Sequence, residues 1–363
     1  MRWGRQYYTS ATESATPHTT LTWPFLSNRA LRACGLPGGE PVLPQPIPSL
    51  AYLKTHKTGS STLSTVVNRV TDARQMKRMQ PPNDIFLGWP EAFPGDGQPA
   101  PHHQFDVIAN HGVYNHEAYA SYLKPNPLVF TILREPISRS ISAYNYWPDN
   151  RPATWHAHIQ RLQAVDHARD DRTFLAKFGN ALAYDLGWYR MVEAYGKGRT
   201  AHDHDATHIA AFVHDLNSTI DLAIMLEELD EGLVLLGRLA GLSVVELAYH
   251  PMKTTSHDGA GGGNAQEKPA KVYPSDGERE QLEQYLEIDA AIYEHFRAKF
   301  TTTWAAARAA DPTIDDDLAL LRCLNAQLVD GCASGNQNAQ CQAAFLADSK
   351  AYTQQLHHGG FAG

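Results

Sequence analysis

Short apolar runs, each followed directly by polar residues, constrain the fold of this chain more than any other feature. Two of them are Leu50–Leu53 and Leu128–Leu133, and others lie at 105–109 and 220–226. Runs of this length are typical of strands buried on both faces, and apolar residues at helical spacing follow the first and third. Strands that alternate with helices predict an α/β fold. We expect a P-loop-like layered domain with a mostly parallel central sheet flanked by helices.

The chain of 363 residues is long enough for one large domain with tails. Prolines crowd the segment before residue 49, so residues 1–48 are predicted to be a poorly structured N-terminal segment. The catalytic domain is predicted at 49–308, followed by an Ala- and Gln-rich extension at 309–363. No apolar run reaches the length of a transmembrane helix, and the N-terminus lacks the layout of a signal peptide. The chain as written is therefore predicted to be soluble, without a membrane span.

Charge and cysteine content narrow the classes of function. A net charge of −8 argues against a general nucleic-acid-binding surface, which needs a basic face. Cys34 lies near the N-terminus and the other three cysteines lie within 323–341, with no Cys-x-x-Cys pair to indicate a zinc ribbon. Free thiols and one structural disulfide are equally open. The His- and Asp-rich stretch at 202–208 has irregular spacing, so we predict a solvated loop there and no metal site.

The loop after the first apolar run has the composition of a phosphate cradle. Its residues are Lys57, Thr58, Gly59, Ser60, Ser61 and Thr62. Glycine lets backbone amides approach an anion, the hydroxyls and the helix N-terminus add donors, and the lysine adds positive charge. In a Walker A loop the lysine directly follows the second glycine, so this loop is of another kind. The structural alternative is a polar loop that only caps a helix.

The third apolar run leads into a second cluster of anion-binding residues. Arg134 stands at the predicted strand end, where a guanidinium can grip a phosphate with two hydrogen bonds. Pro136 favours the start of a helix, and Ser142 on that helix can turn back towards the same phosphate. Arg139 shares a helix face with Ser142. The structural alternative places Arg134 and Arg139 in surface ion pairs.

These motifs together resemble the galactose-3-O-sulfotransferase family. Residues 53–62 look like the family's 5′-phosphosulfate loop and residues 131–144 like its 3′-phosphate site, and the stretches 110–115, 180–187 and 220–236 fit in the family's order. The resemblance implies a sulfotransferase that uses 3′-phosphoadenosine 5′-phosphosulfate (PAPS) and needs no metal. The implied acceptor is a galactose-containing glycolipid or glycan, sulfated at the galactose 3-hydroxyl.

The resemblance also implies roles for single residues. Lys57 matches the lysine at the bridging oxygen, where charge develops as the S–O bond breaks, and Arg134 and Ser142 match the 3′-phosphate site. His111 is interpreted as the base that takes the proton of the acceptor hydroxyl, because it follows the second strand and imidazole is partly neutral near pH 7. His56 is interpreted as a supporting or substrate-facing residue.

Other features of the sequence have several interpretations. Lys253 and Thr254 resemble a cofactor-covering loop of related carbohydrate sulfotransferases. Three tryptophans either stack on sugar faces or belong to the core: Trp147, Trp155 and Trp188. The resemblance implies a Golgi location, and the oligomeric state is not predicted. The alternatives to a sulfotransferase are a P-loop-type nucleotide kinase and a non-catalytic nucleotide- or glycan-binding relative.

Overall fold

A four-stranded parallel sheet forms the centre of the part of the chain that the structure describes. The computed structural model describes residues 26–37, 45–81, 85–165, 171–189, 206–251 and 270–332. The strands are β1 (Leu50–Leu53), β2 (Val107–Ile108), β3 (Leu128–Leu133) and β4 (Leu222–Met225). Their order is β2-β1-β3-β4, and every strand residue is buried. The predicted α/β class is confirmed.

Two strands are shorter than their apolar runs. The run 105–109 contains only the two residues of β2, because Phe105 pairs with Leu123 instead of with β1. The run 220–226 contains the four residues of β4, and Asp221 precedes them with its carboxylate accepting the backbone N–H of Val129 at 2.9 Å. β1 and β3 have the predicted bounds.

Helices cover the sheet, and their termini carry residue types that favour helix starts and ends. The helices of the described ranges are α1 (Asn28–Ala33), α2 (Ser60–Asp72), α3 (His116–Tyr122), α4 (Pro136–Tyr146), α5 (Trp155–Ala164), α6 (Arg172–Phe178), α7 (Ala181–Asp185), α8 (Ala206–Thr219), α9 (Leu229–Ala240), α10 (Val244–Leu247), α11 (Asp276–Tyr285), α12 (Glu287–Ala310) and α13 (Ile314–Cys332). Pro136 occupies the first turn of α4, and Ser275 with Glu278 forms a capping box before α11. Gly241, with φ 73°, ends α9. No helix of the described residues has the length and apolar composition needed to cross a membrane.

Segments predicted to be peripheral contribute to the core. Residues 80–104 are rich in Pro and Gly, a composition that predicts a surface excursion, but Leu87, Trp89 and Phe93 are buried, so the prediction is wrong for this part of the segment. α1 lies within the predicted N-terminal segment and α13 within the predicted C-terminal extension, and a disulfide between Cys34 and Cys323 joins the two regions. Leucines of α13 are buried in the same apolar cluster as the strands. The predicted domain boundaries stay predictions.

The strand order places a topological switch point at the carboxyl edge of the sheet. β1 and β3 are neighbours in the sheet, and β2 lies on the other side of β1. The connection after β1 therefore runs towards β2, the connection after β3 runs towards β4 in the opposite direction, and both leave from the same edge of the sheet. Ligands of open parallel sheets bind in the crevice outside such a point. These two connections contain the two predicted anion-binding motifs, the loop at 57–62 after β1 and the segment that begins at Arg134 after β3.

Candidate active site at the carboxyl edge of the sheet

The loop between β1 and α2 is a tight turn that ends in unpaired amides. Lys57 has φ 65° and Gly59 φ 78°, and a Cβ on Gly59 would lie 2.5 Å from Leu226 Cδ1. Glycine is therefore favoured there. No side chain caps the start of α2, and the described residues supply no acceptor for the backbone N–H of Ser60 or Ser61. Amides at a helix N-terminus form a ready anion site.

The hydroxyls of this loop have different surroundings. Thr58 is fully buried, and its Oγ1 lies 3.2 Å from the carbonyl oxygen of Thr55 and 2.9 Å from Thr55 Oγ1. Ser60 and Thr62 are buried as well, whereas Ser61 is partly exposed. The side chain of Thr58 therefore stabilises the turn of the loop.

Arg134 brings the second motif into contact with the first. Its Nη1 donates to the carbonyl oxygen of Lys57 at 3.3 Å. Burial lowers the pKa of Arg134, and the carboxylates of Glu227 and Glu135 oppose that change. Ser142 lies partly exposed on the second turn of α4. The structure thus brings the loop after β1 and the residue after β3 into direct contact.

Arg139 has a different environment from the one considered in the sequence. It is completely buried, with Nε donating to the carbonyl oxygen of His56 at 3.3 Å and Nη2 to that of Lys177 at 2.7 Å. The surface ion pair is therefore wrong for Arg139, because this face of α4 packs into the protein. Its guanidinium stabilises the loop after β1 from inside the protein, through the backbone of His56.

The two predicted histidines stack on each other. The rings of His56 and His111 have centroids 3.9 Å apart and an interplanar angle of 18°. His111 Nδ1 lies 2.9 Å from the carbonyl oxygen of Lys54, which only accepts, so Nδ1 carries the proton and Nε2 is the basic nitrogen of the neutral ring. His56 Nδ1 lies 2.9 Å from Asp185 Oδ2, which assigns the same tautomer. Both side chains are therefore held in defined orientations.

Sequence reasoning did not single out Asp185 or Trp89. Asp185 ends α7 and is buried, and its carboxylate also accepts the backbone N–H of His56 at 2.7 Å and Trp89 Nε1–H at 2.9 Å. The ring of Trp89 lies 4.2 Å from that of His56. Asp185 falls in the stretch 180–187 that carries the family resemblance, but its contact with His56 spans 129 residues and only the fold reveals it.

Aromatic rings at the end of α4 flank the loop lysine. Lys57 Nζ lies 3.4 Å from the ring centroid of Tyr146 and 6.0 Å from that of Trp147, in cation–π contact. Trp147 is partly exposed, whereas Trp155 and Trp188 are buried in the core. Of the three tryptophans considered for sugar stacking, Trp147 is thus the one at this site.

Some sequence expectations fall on residues beyond the described ranges. They include Lys253, Thr254 and residues 202–205 of the His-rich stretch. Within the described ranges, no group of three or more His, Cys, Asp or Glu side chains is arranged to hold a metal ion.

Comparison with known proteins relates the whole chain to one family. The sequence model described as galactose-3-O-sulfotransferase matches residues 6–356. Galactosylceramide sulfotransferase from Bos taurus is 25% identical over 316 residues, 84% of this chain and 68% of that protein. The Mus musculus protein of the same name is 23% identical over 340 residues, 88% of this chain and 74% of that protein. Galactose-3-O-sulfotransferase 3 from Homo sapiens is 25% identical over 296 residues, 78% of this chain and 63% of that protein. The chain thus spans roughly two thirds of the length of these relatives.

Proposed function

This chain belongs to the galactose-3-O-sulfotransferase family, and on that premise we propose that it transfers a sulfuryl group from PAPS to a hydroxyl of a galactose-containing acceptor. One structural observation carries the proposal. Arg134 Nη1 contacts the carbonyl oxygen of Lys57, so two anion-binding motifs meet at the switch point of a parallel sheet. The family match does not favour a nucleotide kinase.

The donor fits the residues at this edge. The turn at Lys57 and Gly59 and the unpaired amides that open α2 suit the 5′-phosphosulfate, and Arg134 and Ser142 are proposed to hold the 3′-phosphate. When bound, PAPS supplies the sulfuryl group and a phosphate leaving group. Lys57 then offsets the negative charge that develops on the bridging oxygen. Lys253 and Thr254 stay proposed as covering residues.

Proton removal from the acceptor is the remaining chemical task, because this kind of transfer needs little covalent participation from the protein. We assign it to His111, whose Nδ1–H donates to Lys54 and whose Nε2 is therefore the basic nitrogen. His56 stacks on that ring and supports it. The reaction needs no metal ion in this proposal.

The proposed acceptor is a galactose-terminated glycolipid or glycan, with the galactose 3-hydroxyl as the sulfated position. Relatives named for galactosylceramide and for galactose support this substrate class. We propose the lumen of the Golgi as the location. The disulfide between Cys34 and Cys323 supports an oxidising compartment, where such bonds persist.

The first test is transfer of labelled sulfate from PAPS to a panel of lactosyl, galactosylceramide and N-acetyllactosamine acceptors. We expect label on galactose with the wild-type protein and none with Lys57→Ala. PAPS binding without labelling of any acceptor would remove the galactoside assignment, and absence of PAPS binding would remove the proposed activity altogether.

The base is tested separately with His111→Ala. We expect turnover to fall on the order of 10²–10⁴-fold, while PAPS affinity stays near that of the wild type. Turnover close to the wild-type value would show that His111 is not the base.

A further inference from the structure

Asp185 is a buried carboxylate that gathers three hydrogen bonds from two separate segments of the active site. His56 donates to it through its backbone N–H at 2.7 Å and through Nδ1 at 2.9 Å, and Trp89 donates through Nε1 at 2.9 Å. Only 3% of Asp185 is exposed. A carboxylate taken out of water needs such donors, so these contacts are strongly specified.

The contacts control both the backbone and the ring of His56. Its backbone N–H donates to Asp185, and its carbonyl oxygen accepts from Nε of Arg139 at 3.3 Å. His56 directly precedes the loop at 57–62, which we call the donor loop because we propose that it binds the sulfuryl donor. Its ring faces an acceptor-only carboxylate at Nδ1, which keeps the proton on Nδ1. The basic Nε2 therefore lies on the side of the ring away from Asp185.

Asp185, which orients the ring of His56, differs in charge from the group that orients the ring of His111. His111 is held by a peptide carbonyl of Lys54, which is neutral. His56 is held by a carboxylate, so a positive charge that appears on this ring faces a negative partner.

We propose that Asp185 is a positioning residue for sulfuryl transfer, acting through His56. It holds the ring of His56 in the Nδ1–H tautomer, stacked on the ring of the proposed base His111, so that Nε2 of His56 is left as a hydrogen-bond acceptor. It also binds the indole of Trp89 against the same ring. This inference rests on the proposed sulfotransferase activity.

The substitution Asp185→Asn tests this hydrogen-bonding role without changing the volume of the side chain. The side chain keeps its shape, but an amide has one acceptor oxygen where the carboxylate has two. With that oxygen at the Oδ2 position, the NH₂ group faces Trp89 Nε1–H; with the oxygen at the Oδ1 position, the NH₂ group faces the backbone N–H of His56. In either orientation one of these donors loses its acceptor and the ring of His56 loses its negative partner, so the ring is held less firmly.

The kinetic test measures kcat and KM for PAPS and for a galactoside between pH 5.5 and 9. For Asp185→Asn we expect kcat to fall on the order of 10²–10⁴-fold, KM for PAPS to stay within about threefold, and the pH profile of kcat to change shape. A kcat within about threefold of the wild type would overturn the proposal.

Glu246→Gln is the matched control. Glu246 is also a buried carboxylate, but it pairs with Arg74 Nη1 at 2.7 Å, beyond the C-terminal end of α2, and accepts the backbone N–H of Ser243 at 2.8 Å. This variant is expected to lose thermal stability and to keep kcat within about threefold. An equal loss of kcat in a folded Glu246→Gln protein would assign the effect to the loss of a buried carboxylate in general and overturn the proposal.

A double-variant cycle identifies the residue through which Asp185 acts. If it acts through His56, the Asp185→Asn/His56→Gln protein should be no slower than His56→Gln alone. Effects that multiply independently would overturn the proposal.

Nitrogen NMR of the imidazoles supplies a readout that does not depend on activity. His56 should show the Nδ1–H tautomer in the wild type. The Nε2–H tautomer in the wild type would overturn the proposal. An inactive wild-type protein that shows the Nδ1–H tautomer would instead refute the proposed function while supporting the assigned hydrogen bond.

Discussion

Replacing His158 by leucine should make the fold less sensitive to mild acid. His158 is completely buried on α5, and no described residue pairs with either of its ring nitrogens. Aromatic rings surround it, those of Tyr144, Trp155, Phe174 and Phe178. Burial, assisted by the positive charges of Arg151 and Arg161, lowers the pKa of His158 to about 3. This histidine therefore folds as a neutral, apolar ring.

The lowered pKa sets both the sign and the size of the effect. The unfolded chain takes up this proton near the ordinary histidine pKa of about 6.5, and the folded protein takes it up only near pH 3. The stability that neutral His158 contributes is thus present above pH ~6.5 and is lost as the pH falls towards 3. The whole interval corresponds to ~5 kcal/mol, and the part between pH 7 and pH 5 to ~2 kcal/mol.

Urea unfolding of the wild type and of His158→Leu at pH 7, 6 and 5 measures this quantity. Burial raises the pKa of Asp289 to about 7, so that group changes the stability in the opposite direction over the same interval. The comparison between the two proteins removes this contribution. Between pH 7 and pH 5 the wild type should lose ~2 kcal/mol more than the variant. Identical losses in the two proteins would refute the account of His158 as a buried neutral base.

Two further predictions concern the donor loop and the disulfide. Gly59→Ala should cost about 1–2 kcal/mol for its φ of 78° and displace Leu226, raising KM for PAPS. Gly277→Ala, in an open position of α11, should leave KM unchanged and raise stability by about 0.5–1 kcal/mol, because alanine favours a helix over glycine. Equal KM values for the two variants would contradict the loop geometry. Cys34→Ser should lower the free energy of unfolding by about 2–5 kcal/mol, because the bond to Cys323 closes a separation of 289 residues. Reduction of the wild type also opens the disulfide of Cys332, so it should produce at least this loss in a thermal melt. An unchanged melting temperature in Cys34→Ser would count against the contribution of the bond.

The sequence by itself determined the local elements and the type of site. β1 and β3 begin and end where their apolar runs do, because a strand buried on both faces needs an uninterrupted apolar segment. Pro136 begins α4 and Ser275 opens α11, since caps depend on the few residues beside them. The composition of the loop at 57–62 likewise predicts an anion site, which stays a prediction for each of its residues.

Only the tertiary structure decided which distant groups meet. It paired His56 with Asp185 across 129 residues, brought Trp89 inward from a segment that looked like surface, and buried Arg139 behind the donor loop. Hydrophobic periodicity and helix caps depend only on residues within one or two turns along the chain. Long-range contacts depend instead on how whole elements pack, and on the requirement that each buried charge find a partner. The pairing of the Asp185 carboxylate with His56 is therefore identified only by the tertiary structure.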